Sequence, residues 1–132
     1  MATQKSKVRL SGEYQTTLIK SRSKIFKNSP QISVCFKVNS GKDLGIFDYI
    51  DFYKSPDLVK GLFGESLKHI PDRNQLNIIS DFVSENLMFK SFTVECEYDE
   101  TCGMNKIKSI SPNQTIPSIK NYFKEVIGNK SA

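Results

Sequence analysis

In the segment Ile32-Ser33-Val34-Cys35-Phe36-Lys37-Val38, the apolar side chains Ile32, Val34, Phe36 and Val38 alternate with Ser33, Cys35 and Lys37. An alternation of period two is the pattern of a strand with one buried face. The pattern returns downstream, where Phe92, Val94, Cys96 and Tyr98 alternate with Thr93, Glu95, Glu97 and Asp99, a strand with an acidic outer face. Lys106 to Ile110 makes a further strand, ended by Pro112.

Working outward, residues 1–7 read as a loose basic arm and Val8 to Ile19 as the first strand. Ser21 to Pro30, with sequence SRSKIFKNSP, combines three basic residues with Ser, Asn and Pro, and reads as a long exposed turn or hairpin tip. NSGKDLG (39–45) is a turn, and Ile46 to Tyr53 is an aromatic-rich third strand. Ser55-Pro56-Asp57 is a helix start, with Ser able to cap and Pro suited to the first helical position, and the helix is expected to run to about Leu67. Asp72-Arg73-Asn74-Gln75 opens a second helix as a capping-box variant, and Leu76, Ile79, Phe82, Val83 and Leu87 form its apolar stripe. DETCGMN (99–105) is a turn. In the tail, residues 113–132, Ile119 to Ile127 form a short amphipathic helix or a mobile chain end.

A chain of 132 residues is the size of one domain. Apolar residues at 38% and charged residues at 25% exclude wholesale disorder and fibrous repeats. The start MATQKSKVRL lacks a signal-peptide core and no stretch approaches a membrane span, so a cytoplasmic protein without membrane contact is expected. Cys35, Cys96 and Cys102 are scattered and odd in number, which fits reduced thiols better than disulfides or a zinc site. The net charge of +5 is unevenly spread. Residues 1–42 hold nine Lys or Arg against Glu13 alone, residues 43–105 hold five against twelve acids, and the last 27 residues return to +4. That order can set a positive and a negative surface on one domain, the former attractive to polyanions.

Groups suited to catalysis are sparse. The single histidine, His69, stands beside Pro71 between the helices, and no nucleophile elbow, Walker loop or H-E-x-x-H occurs. Asp48 and Asp51 are three apart on a strand and so point to opposite faces, a poor start for a metal site. Binding has better support. Lys20, Arg22 and Lys24 alternate with Ile19, Ser21 and Ser23, so an extended arm aligns three cations on one face, with Phe26 and Lys27 directly after. Cations that track phosphates beside rings that stack on bases are the two components of a single-strand site. Tyr49 and Tyr53 share a strand face and are the other candidate rings.

Two strands joined by a basic arm, a third strand, two helices, a final hairpin and a short C-terminal helix follow the order of a mainly β, five-stranded OB-type barrel with a helical insertion between strands three and four. GEYQTTLI (12–19), the lysine-rich stretch after it, ISVCFKV (32–38), the Gly-Lys turn into IFDYIDF (46–52) and the hairpin ending NKIKSISP (105–112) together resemble a family of phage early-region proteins of single-stranded-DNA-binding type. The likeness spans about residues 8–112. It departs at Phe89, where a glycine is expected before Lys90, and in the basic tail, which differs from the acidic tip by which bacterial single-strand binders recruit replication enzymes. The resemblance implies self-association, expected as a dimer, and single-strand binding without catalysis; no cofactor or metal is expected. Together the readings assign phosphate contacts to Lys20, Arg22, Lys24, Lys27, Lys37, Lys106 and Lys108, and stacking to Phe26, Tyr49 and Tyr53. The expected partners are single-stranded DNA and a phage recombinase or replication protein. Two alternatives stand beside this reading: a protein-interaction module using its acidic middle segment, and a nuclease using Asp48 and Asp51 with magnesium.

Overall fold

The computed structural model describes residues 9–40, 44–67 and 73–131. The expected basic arm, the centre of the 39–45 turn, His69 and the Asp72 helix start lie outside the described residues. The elements run β1 (Gly12–Phe26), β2 (Ser29–Val38), β3 (Gly45–Asp51), α1 (Pro56–Phe63), α2 (Arg73–Asn86), β4 (Ser91–Asp99), β5 (Met104–Pro112) and α3 (Ile119–Ser131). The strands form one antiparallel sheet in the order β3-β2-β1-β4-β5. The fold is therefore mainly β, with the two expected helices between β3 and β4 and the expected helix after β5.

The sheet is open, since no ladder joins its two edge strands among the described residues. The edges meet instead through a buried carboxylate. Asp48 on β3 accepts the Ile107 backbone N–H of β5 at 2.9 Å and the Lys106 ammonium at 3.3 Å, and its own strand supplies the Tyr49 N–H at 2.8 Å. A buried carboxylate needs such donors to offset its lost hydration.

The alternation in β2 sets the core. Ile32, Val34, Phe36 and Val38 are all buried, and Phe36 meets Phe92 of β4 edge-on at 5.5 Å. Leu76, Ile79, Phe82 and Val83 bury the stripe of α2, Leu87 is buried just past its end, and Phe63 of α1 lies 6.1 Å from both Phe52 and Phe82. Helix α1 crosses β5 at Gly61, where a Cβ would overlap the Ile110 carbonyl oxygen. Glycine normally weakens a helix interior, and here it permits the close approach. The helix stops before the expected Leu67 because Gly64 takes a left-handed φ of 75°. Ser55 precedes α1 as expected but makes no side-chain capping bond.

Of the two expected readings of Ser21 to Pro30, the hairpin tip is found. Instead of a long turn, β1 and β2 stay paired up to Phe26 opposite Ser29. Only Lys27 and Asn28 turn the chain, with φ of 49° and 65°. Two residues at positive φ make the hairpin turn whose twist matches that of the flanking strands. The Ser and Lys residues that suggested a loop are the polar positions of a long hairpin arm.

Candidate nucleic-acid interface

A bulge in β1 decides what this arm displays. Leu18 lies opposite Phe36 and Lys20 opposite Cys35, which leaves Ile19 without a partner in β2. Before the bulge the even residues Thr16 and Leu18 point into the core. Continued alternation would send Lys20, Arg22 and Lys24 inward, and the extra residue shifts them to the outer face. β4 pairs with β1 only over Gly12 to Thr17, so past the bulge the arm is a β1–β2–β3 surface.

On that surface the registers place Lys20, Cys35 and Phe47 in one cross-strand row, Arg22, Ser33 and Tyr49 in the next, and Lys24, Gln31 and Asp51 in a third. Phe26 and Lys27 stand at the tip. Phe26, Phe47 and Tyr49 are 48%, 40% and 47% exposed. Phe47 and Tyr49 meet edge to face at 5.1 Å, and the Lys24 ammonium lies 5.5 Å from the ring centres of both Phe26 and Tyr49. The Lys27 ammonium lies 5.4 Å from the Phe26 ring. Lys37 is exposed on the same face, opposite Thr17 and Gly45. Within the first row, burial pushes the Cys35 thiol above its ordinary pKa and the charge of Lys20 partly offsets this.

The remaining expected residues lie apart. Tyr53 falls beyond the end of β3, in a turn organised by Asp51, whose carboxylate accepts the N–H groups of Tyr53 and Lys54 at 2.8 and 2.9 Å. Burial raises the Asp51 pKa, but these N–H donors, the Ser29 hydroxyl and the Lys54 charge outweigh it and hold the carboxyl below its ordinary range. Lys106 is paired with Asp48, and Lys108 with Glu97 at 3.3 Å. Both line a cleft of about 330 Å³ with Glu97, Tyr98, Asp99 and Glu100, a mixed-charge surface rather than a basic one.

Asp48 and Asp51 take opposite sides of β3 as expected, Asp48 buried and Asp51 half-buried with its carboxylate committed to its own turn. No group of three or more potential metal-binding side chains occurs among the described residues. Phe47 was not among the expected rings. The signal for it was present, since it is two residues from Tyr49 and so shares its face. Among the described residues, no helix is long and apolar enough to cross a membrane. No protein-family model matches the sequence, and no curated protein matches it.

Proposed function

We propose that the chain binds single-stranded DNA without strong sequence preference, as a non-catalytic protein of phage replication or recombination. The observation that carries this reading is the interleaving of Lys20, Arg22 and Lys24 with the exposed rings of Phe26, Phe47 and Tyr49 on one continuous three-stranded surface. Stacking on a ring is available to every base, and cations track the backbone whatever its sequence. An OB-type architecture is the finer reading of the fold. The strand order together with the Asp48 bridge from β3 to β5 supports it, and the face of strands two and three is where that fold takes oligonucleotides.

A gel-shift titration of labelled single strands and of duplex of equal length, over a salt series, tests the reading. Salt-sensitive binding that favours single strands, without cleavage, is the expected result. Equal affinity for duplex would reduce the face to a positive surface, because paired bases present no free ring to stack upon. Absence of any binding would favour the protein-interaction alternative, for which the acidic residues Glu97, Asp99 and Glu100 around the β4–β5 hairpin are the available contact.

A further inference from the structure

We propose that Phe89 contacts the bound strand and extends the track past the bulge, an inference that rests on the single-strand reading above. After α2 the N–H groups of Leu87 and Met88 both donate to Val83 O at 2.9 Å, and Phe89 then turns the chain with a left-handed φ of 64°. That conformation ends many helices and is ordinarily given to glycine, because a Cβ crowds the backbone there. Burial does not compensate at Phe89. The residue is 72% exposed, the most of the exposed large hydrophobic residues among the described residues. Strain held at an exposed aromatic points to use of the ring.

Its position fits that use. The Phe89 N–H donates to Leu18 O at 2.8 Å and the Leu18 N–H donates to Lys90 O at 3.1 Å, fixing the residue beside Leu18 and the bulge at Ile19, at the end of the arm where the cation stripe begins. Lys90 is exposed beside it. Phe89, with Lys90 next to it in the chain, thus sets an exposed ring and a cation at the inner end of the arm, whose tip carries Phe26 with Lys24 and Lys27. From Lys20 to Phe26, a strand at about 3.3 Å per residue covers roughly 20 Å, enough for several nucleotides between the two aromatic ends.

The test compares the wild type with Phe89→Gly, Phe89→Trp and the triple variant Arg22→Ala/Lys24→Ala/Lys27→Ala, using anisotropy of a labelled oligothymidylate and thermal melting. Phe89→Gly is expected to melt a few degrees higher, through relief of the left-handed strain, and to bind at least about fivefold more weakly through loss of a stacked ring. Phe89→Trp is expected to keep wild-type affinity. Unchanged affinity of Phe89→Gly, while the triple variant binds weakly, would overturn this inference and leave the single-strand reading standing. A lower melting temperature would overturn it as well, since the ring would then be a packing residue. Loss of self-association in sedimentation, with affinity kept, would make Phe89 a protein contact and overturn it too. A wild type that does not bind the oligonucleotide would refute the reading itself.

Discussion

The Lys24 ammonium on β1 reaches across β2 to lie 5.5 Å from the centre of the Tyr49 ring on β3. Strands sit about 4.8 Å apart and same-face residues about 7 Å apart along each strand, so cations and rings alternate here on the scale of a nucleotide. A base laid on Tyr49 has a cation beside it for its phosphate. The cation–ring contacts also hold Lys24 in place before any ligand arrives, at a cost of about 0.5–1 kcal/mol to displace at an exposed site.

Replacing Arg22, Lys24 and Lys27 together by Ala is therefore expected to weaken binding to every single strand alike. The logarithm of the wild-type binding constant is expected to fall linearly with the logarithm of salt, by about 0.7 per neutralised phosphate, and the triple variant to lose about 2 from that slope. Thermal stability is expected to change little, since exposed charges contribute little to folding. A slope unaltered by the triple substitution would remove these residues from the phosphate track.

The rings separate by position. Phe26→Ala, Phe47→Ala and Tyr49→Ala are each expected to cost roughly 1–3 kcal/mol of single-strand affinity while leaving duplex affinity nearly unchanged. Tyr53→Ala, beyond the end of β3, is expected to cost much less. Melting curves run alongside distinguish loss of a stacking ring from loss of the fold. A Tyr53 effect as large as that of Tyr49 would move the track toward the α1 end of the sheet.

What could be read from sequence was mostly what burial enforces. Val34, Phe36, Phe82 and Val94 were expected in the core from alternation or helical spacing, and all four are fully buried. Composition left Ser21 to Pro30 open between a long turn and a hairpin tip, because an exposed hairpin arm is built from the same Ser, Lys and Asn as a loop. The bulge at Ile19 has no residue-type signature, and it decides which face the cations take. The pairing of Lys106 with Asp48 and of Lys108 with Glu97 was not legible, since these partners come from other strands that only the folded chain brings near.

Two core substitutions check the packing. Phe36→Ala is expected to destabilise by about 3–5 kcal/mol, through lost burial and a cavity beside Phe92. Gly61→Ala adds a single methyl group, yet it is expected to cost on the order of 1–3 kcal/mol or more, because the backbone of β5 must give way. Urea unfolding measures both. A neutral Gly61→Ala would mean that α1 does not press on Ile110 as described.

The docking of α3 carries a pH dependence of definite sign. The Glu65 carboxylate, which follows α1, accepts the Ser118 hydroxyl at 2.8 Å and the Lys120 backbone N–H at 3.0 Å, at the first turn of α3. Burial pushes the Glu65 pKa up, but the Lys120 N–H, the Ser118 hydroxyl and the Lys120 charge together outweigh it, and the carboxyl titrates below its ordinary range. A depressed pKa means that the folded state favours the ionised form. Its contribution to stability is then fully present above the ordinary glutamate range and is lost as pH falls through that range to the lower folded value. At neutral pH Glu65→Gln is expected to melt below the wild type, and the difference is expected to shrink toward zero on acidification. Asp51 and Asp99 also titrate low and will lower the stability of both proteins in acid, so the difference between the two, not the absolute melting temperature, isolates Glu65. The Lys120 amide resonance is expected to shift with the same midpoint and to lose that titration in the variant. A difference that widens toward acid would show that Glu65 is destabilised by its burial and does not hold α3.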